Sequence, residues 1–428
     1  MHTIVTYCIP SQIILYNLAS NGSKVIDFPH PESRAATGEN HVHYDVVVVG
    51  GGAVGASVAY FLRTHRKACS VAVIERDKSY QQASTPRASG GVRRLFALPE
   101  NIALSNFSIP FFERFETEMA VDGEAARIDF KKNGYLFIVS ESERAALEGN
   151  FRVQQEHGVN VVWLDRKDLK AKFPSMNVSD LAAAAYSPDD GWLDPWSVLR
   201  GLRRKAIAVG ATFLDDEVVG LEAQHGRVRN VTLRSGATIS TDHVVNAAGA
   251  WAKEISAMVG MRVPIEPMRR YEHYFECEQP IEPLPYLKDT QRLAFRPEGK
   301  GYSGGVPDIR EPRGFNFEIE HDYFERIVWP ALAHRFPAFE RTKEKNVMPG
   351  LYDQNELDGN VIIGPWSDGM PNFYMVAGFS GHGLMHAPGC GRAMAELILD
   401  GSYQTIDLSR FGWQRVLDGA PYREQGII

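Results

Sequence analysis

The chain is poor in the features that would assign it to several large classes. No stretch reaches the roughly 18 uninterrupted apolar residues that a membrane-spanning helix requires, so no span is expected. Its four cysteines, Cys8, Cys69, Cys277 and Cys390, are far apart and form no CxxC pair. Neither a disulfide framework nor a metal-ligand spacing is present, and no metal is expected. Positive charge is also short. Lys and Arg total 46 against 53 Asp and Glu, a formal net charge of −7, which argues against nucleic acid as a partner because phosphate binding needs a basic face. Internal repeats and low-complexity tracts are lacking as well. What remains is ordinary for a globular enzyme or a large binding protein: 428 residues, 44% hydrophobic and 23% charged, enough for roughly two to three lobes.

Residues 1–43 differ in texture from the rest. The apolar stretch Ile4–Leu18 is interrupted by Pro10, Ser11, Gln12 and Asn17, and no Lys or Arg precedes it. It therefore lacks the charged start of a secretory signal. The segment Pro29–Glu39 has loop composition. Residues 1–43 are expected to be an extension of the body, and a cytoplasmic location is the default expectation.

The first strong signal starts at Tyr44. Asp45-Val46-Val47-Val48-Val49 reads as a strand buried on both faces of a parallel sheet. Gly50-Gly51-Gly52-Ala53-Val54-Gly55 follows at once, with glycines at 50, 52 and 55 in GxGxxG spacing. Val54–Thr64 then reads as a helix, and Ser70–Ile74 as a second strand leading to Glu75, 20 residues beyond Gly55. The glycines differ in purpose. Gly50 allows a tight turn, Gly52 lets a pyrophosphate approach the backbone, and Gly55 lets helix and strand pack closely. Ala53 and Val54 open a helix N-terminus whose free N–H groups and dipole favour phosphate. Glu75 stands where an acid binds ribose hydroxyls. The unit predicts dinucleotide binding without choosing between FAD and NAD.

Later segments make that choice. After Glu75, Arg76 and Asp77 come Gln82-Ala83-Ser84-Thr85 and Ser89-Gly90-Gly91-Val92-Arg93, then Val244–Ala252 with its Asn-Ala-Ala-Gly-Ala-Trp core. Near the end stands Val376-Ala377-Gly378-Phe379-Ser380-Gly381-His382-Gly383-Leu384, followed by Ala387-Pro388-Gly389. In this order the motifs resemble the D-amino-acid oxidase superfamily of FAD enzymes, which includes sarcosine oxidase, glycine oxidase and dimethylglycine dehydrogenase. Glu75–Ser105, Gly350–Leu399 and Asp407–Ile428 are most similar to the branch of it linked to mitochondrial complex I assembly and to its bacterial relatives.

The resemblance implies an α/β fold: a discontinuous Rossmann-like FAD-binding domain with a second, α+β substrate domain containing an antiparallel sheet. The FAD lobe is expected at 44–96, 191–264 and 346–428, and the substrate lobe at 97–190 and 265–345. By the same resemblance Ser84, Thr85, Ser89, Gly90 and Gly91 line the pyrophosphate and ribityl chain. The backbone of Val218 meets adenine, and Ala248, Gly249 and Trp251 close over the cofactor. Gly381, His382, Gly383, Leu384 and Met385 place a helix N-terminus under the flavin ring, where its dipole stabilises negative charge. Arg76 and Tyr352 complete the cofactor set. Gly350 stands where sarcosine oxidases carry the cysteine bound to flavin, so FAD is expected to be non-covalent. Met385 replaces the lysine that grips carboxylate there, which leaves carboxylate binding to arginines.

For catalysis the candidates are Arg93, Tyr271, His273, Arg296 and His382. Arg93 can pair with a carboxylate. Tyr271 and His273 share one face of an alternating strand that the resemblance puts over the flavin; either can bond substrate or assist proton removal. Arg94 is a weaker candidate, and His386 reads as packing. The expected activity is FAD-dependent oxidation of a C–N bond in an amino acid or secondary amine, with O2 or an electron-transfer partner as acceptor. A 2-hydroxy-acid dehydrogenase and a flavin-holding assembly factor with little turnover are the alternatives.

Overall fold

The computed structural model describes residues 42–426; the expected extension at 1–43 lies almost wholly outside the described residues. Two large sheets organise the chain. The first has a parallel centre in which Val42–Val49 lies between Val71–Glu75 and Thr238–Asn246. Thr212–Asp215 continues it beyond Val71–Glu75, and Met370–Ala377 continues it beyond Thr238–Asn246, both parallel. Ile362–Trp366 closes the edge antiparallel to Met370–Ala377. Two further strands, Val218–Gln224 and Arg227–Leu233, form an antiparallel meander attached to Thr238–Asn246. The valine run explains the central position: Val46 to Val49 are all buried, as a strand covered on both faces demands.

Helix Ala53–Thr64 follows the glycine turn and packs against the long helix Gly383–Asp400. Their approach depends on Gly391, because a Cβ there would stand 2.4 Å from Ser57 Oγ. The two chain ends of the nucleotide-binding unit are thereby bound into one core, as a Rossmann-like fold requires.

The second sheet runs in the order Thr342–Asn355, Ile265–Cys277, Gly301–Gly305, Ala294–Glu298, Tyr286–Lys288, Tyr135–Val139, Ala183–Ser187, Val162–Asp165. Every pairing is antiparallel except that of Tyr286–Lys288 with Tyr135–Val139. Its far face carries a separate core of Phe275, Phe295, Phe336 and Phe339. The expected boundary at residue 346 falls inside the strand Thr342–Asn355, which belongs to this sheet. Beside this sheet a helix begins with a π-helical turn, Phe324–Val328, and becomes α-helical at Trp329–Arg335. Among the described residues no helix is long and apolar enough to cross a membrane.

Candidate functional site

The glycine turn is built by close approach. Gly50 has φ +99°, and a Cβ on it would lie 2.5 Å from the Ala247 carbonyl oxygen of the neighbouring strand. At Gly55 a Cβ would lie 1.9 Å from the Gly50 carbonyl oxygen, so this glycine serves helix–strand packing. Gly52 is different. A Cβ there would meet only Thr85 Oγ1, at 3.4 Å, so the space above it is open. Gly52 caps helix Ala53–Thr64 with no side-chain hydrogen bond, and the Ala53 N–H donates to Thr85 Oγ1 at 3.2 Å. A bare helix N-terminus thus faces a void, the arrangement that suits phosphate.

Glu75 ends the second strand and turns back to this loop. Its Oε2 accepts from the Gly51 N–H at 2.8 Å and its Oε1 from the Asp77 N–H at 3.0 Å. Burial raises the carboxyl above its ordinary range despite these bonds. Beside it the Arg76 guanidinium lies 3.8 Å over the Trp251 ring.

All of this borders one cavity of about 740 Å³. From Gly50, Gly52, Ala53 and Val54 it extends past Glu75, Arg76, Val218, Ala248, Gly249 and Trp251. It continues along Ser84, Thr85, Ser89, Gly90 and Gly91 to Tyr352, Gly381, His382, Gly383, Leu384 and Met385. Of the residues expected to hold cofactor, only Gly55 does not line it. Gly381 (φ +102°) must be glycine because a Cβ would stand 2.5 Å from the Tyr352 ring. Asp353 holds the same turn from below, accepting from the Gly378 N–H at 2.7 Å.

The far end of the cavity carries charge. Arg93 is 1% exposed and donates to the Leu95 carbonyl and to His382 Nε2, the latter at 3.1 Å. Its guanidinium lies 3.8 Å over Phe96 and 5.0 Å from the Phe137 ring centroid. Burial and the Arg93 charge hold His382 well below the ordinary histidine range. Tyr135 and Tyr286 are stacked at 4.4 Å in the wall, and the Tyr286 hydroxyl donates to Ser89 Oγ at 3.0 Å.

Of the catalytic candidates His273 and Arg296 stand outside the cavity, and Tyr271 lines it with its hydroxyl engaged elsewhere. His273 does not line the cavity: its Nδ1 pairs with Glu344 at 2.6 Å and its ring stacks on Tyr323. Tyr271 touches the cavity, but its hydroxyl donates to the Glu318 carbonyl and accepts from the Glu320 N–H. Strand alternation did place both on one face. That face looks onto Tyr323 and Phe324, while Arg270 and Glu272 line the cavity. Arg296 also turns away, donating to the Ser89 carbonyl and pairing with Glu298; it braces the cavity wall from behind. Arg94 is tied to Asp190 at 2.8 Å. His386 is buried against Phe96 and Ser105.

Sequence reasoning missed Lys288, Glu272 and Arg270. Glu272 is raised by burial and accepts from Ser303 Oγ at 2.6 Å. Burial and the Arg93 charge hold the Lys288 ammonium well below the ordinary lysine range. For Glu272 and Arg270 the usable signal was the opposite phase of the same alternation. For Lys288 there was none.

The family model for FAD dependent oxidoreductases matches residues 45–397. The chain belongs to that family. It is 38% identical to FAD-dependent oxidoreductase domain-containing protein 1 of Xenopus laevis, across 90% of this chain and 85% of that one. It is 26% identical to the mitochondrial dimethylglycine dehydrogenase of Homo sapiens, across 86% of this chain and 44% of that one. Among solved structures, L-proline dehydrogenase from P. horikoshii superposes with a TM-score of 0.78 at 28% identity, covering 89% of this chain and all of that one. Glycine oxidase from Geobacillus kaustophilus shares the fold, with a TM-score of 0.75 at 22% identity over 87% and 98% of the two chains. The flavoprotein's open glycine turn, carboxylate-held loop and single long cavity fit FAD.

Proposed function

We propose that this FAD-dependent oxidoreductase oxidises a C–N bond of an amino acid or a secondary (N-alkyl) amine, giving an imine that hydrolyses in water. The cavity wall from Gly52 and Thr85 to Gly383 would hold FAD, which would supply the hydride-accepting chemistry. The carrying observation is the single cavity that joins the phosphate-type turn at Gly52 to the buried Arg93–His382 pair. A small substrate entering its far end meets fixed donors and aromatic walls.

The chain's own groups divide the work. Arg93 cannot lose its charge at any working pH and is immobilised by Leu95, His382 and Phe96. His382 stays neutral and braces Arg93. The aromatic rings of Tyr135 and Tyr286 shape the wall and keep neutral hydroxyls. The names of dimethylglycine dehydrogenase and L-proline dehydrogenase support an amine-type substrate.

We further propose that FAD is held non-covalently. Cys69, Cys277 and Cys390 do not line the cavity, and Gly350 offers no side chain. The electron acceptor is O2 or an electron-transfer partner.

The test is an anaerobic titration of the purified yellow protein with amines, N-methyl amino acids, D- and L-amino acids and 2-hydroxy acids. Bleaching of the oxidised-flavin band by an amino acid or N-alkyl amine supports the reading. Bleaching by 2-hydroxy acids alone overturns it. Admitting air afterwards separates an oxidase from a dehydrogenase, and acid precipitation shows whether the FAD comes free.

A further inference from the structure

The last described residues return to the end of the cavity that holds Arg93. Tyr422 is anchored three times over. Its N–H donates to Asp358 Oδ2 at 3.1 Å, its carbonyl accepts from Asn360 Nδ2 at 2.7 Å, and its hydroxyl donates to Glu100 Oε2 at 3.0 Å. The chain then passes to helix Arg144–Glu156, where Asn150 Nδ2 donates to the Gln425 carbonyl at 2.8 Å, and Gly426 lines the cavity. Between these anchors both oxygens of Glu424 are engaged. Oε2 accepts from the Ala97 N–H, and Oε1 accepts from the Leu98 N–H at 3.2 Å and from Asn101 Nδ2 at 2.6 Å. All three partners are donors, which is the company an ionised carboxylate keeps.

Ala97 and Leu98 end the irregular stretch that starts at Arg93. Residues 93–98 form no helix or strand, so side chains must satisfy their backbone groups. Asp190 accepts from the Arg94 N–H at 2.7 Å, Gln154 Nε2 donates to the Phe96 carbonyl at 3.0 Å, and Glu424 takes the last two N–H groups. The path of this stretch sets the place of the Arg93 guanidinium, which donates to the Leu95 carbonyl and lies 3.8 Å over the Phe96 ring. Resting on the reading of the cavity as the substrate site, we propose that Glu424 is a positioning residue for that site. From the far end of the chain it fixes Ala97 and Leu98, and through them the Leu95–Phe96 seat that aims Arg93 at His382.

Charge works in the same direction as the bonds. Arg93 is 1% exposed, and its bonding partners, the Leu95 carbonyl and His382 Nε2, carry no negative charge. A buried cation needs compensation from its surroundings. The carboxylates that act on it from a distance are Glu424 and Asp190. Asp190 already pairs with Arg94 at 2.8 Å, whereas Glu424 meets amide donors only. Glu424 also stands at the start of helix Pro99–Glu113, where the helix dipole favours a negative group. Its neighbour Arg423 is exposed and donates to the Leu357 carbonyl, so the attachment of the tail and the action of Glu424 can be separated.

The experiment uses the FAD-loaded protein, labelled with nitrogen-15 at histidine and free of substrate. The readout is His382 Nε2, which accepts the bond from Arg93 Nη2. Glu424→Gln keeps the side chain's volume, removes its charge and sets an NH2 group against N–H donors. It should retain FAD, because the turn at Gly52 is untouched, while the His382 Nε2 signal moves downfield towards that of an imidazole nitrogen with no donor. Arg423→Ala loosens the tail at the Leu357 carbonyl and should leave the signal in place. If the Gln variant does not fold, Glu424→Asp carries the test. Its carboxylate keeps the charge on a side chain one methylene shorter, and a smaller displacement in the same direction is expected. An unmoved His382 signal in the folded Glu424 variant overturns the proposal. So does an equal displacement in Arg423→Ala, which would assign the effect to the tail as a whole. No substrate enters the measurement, so the two readings fail separately: amines that bleach the flavin while His382 ignores Glu424 sink this inference alone.

Discussion

Arg93 Nη2 and His382 Nε2 are 3.1 Å apart, and the contact settles the histidine's tautomer. A guanidinium can only donate, so His382 Nε2 is the acceptor and its proton sits on Nδ1. A second proton on Nε2 would face a fixed cation in a buried place. The resemblance to flavin oxidases drew attention to both residues, but only the fold shows that they act as a pair.

The first prediction follows from this pair. His382 is expected to remain the neutral Nδ1–H form across the range of about pH 5 to 8 in which ordinary histidines titrate, because burial and Arg93 depress its pKa well below that range. Nitrogen-15 NMR of histidine-labelled protein reads the tautomer directly. An imidazolium signal from His382 above about pH 5 contradicts the assignment.

Gly52 and Gly55 should fail in different ways. Gly52→Val puts a side chain into the open space near Thr85, so the protein should fold and yet purify without FAD. Gly55→Ala drives a Cβ into the Gly50 carbonyl and should lower thermal stability or yield, by about 1–3 kcal/mol on the scale of overpacked cores. Flavin content per folded protein separates the two. A yellow, stoichiometric Gly52→Val variant would remove the phosphate assignment.

Asp353 gives the stability curve an unusual slope. Burial raises its carboxyl from 3.8 to about 6, so the folded state binds its proton more tightly than the unfolded chain. Its contribution to stability is therefore fully present below about pH 4 and is lost as pH rises through about 6, on the order of 3 kcal/mol in all. Asp353→Asn keeps an acceptor for the Gly378 N–H and abolishes the titration. Denaturant midpoints from pH 4 to 7 should fall less steeply in the variant; parallel curves would show that Asp353 does not titrate there.

Arg335 tests the second sheet's support. It is fully buried and forks onto Asp180 with two 2.9 Å contacts, while its Nε reaches Asp289 at 3.3 Å. Removing one partner of a buried pair costs about 3–5 kcal/mol because the other charge is stranded. Arg335→Met should be destabilised on that scale, and adding Asp289→Asn should recover part of the loss. Equal stability of the single and double variants in urea would show that Asp289 is not the stranded group.

Much of the cofactor end was legible because its signals are local. A valine run, three spaced glycines, a helix and an acid each declare their purpose within a few residues, and the later glycine motifs do the same. The face of the strand Ile265–Cys277 was harder. Alternation tells that Tyr271 and His273 share a side, but not which side looks onto the flavin cavity. The aromatic core around Tyr323 and Phe324 claimed that face, and the cavity received Arg270 and Glu272. Arg296, a catalytic candidate from the sequence, stands outside the cavity for a similar reason, since the Ser89 carbonyl draws it behind the wall.

By itself, then, the sequence determined a strand–glycine turn–helix unit of dinucleotide-binding type and the order of the segments that line the cavity, because strand, turn and helix preferences act between near neighbours. Tertiary structure alone decided which charges meet. Lys288 stands 195 residues from Arg93 in the chain, on a strand too short to show a period, and they share a wall only through the pairing of Tyr286–Lys288 with Tyr135–Val139. Such pairing is chosen by the packing of whole sheets, which no local pattern of residues encodes.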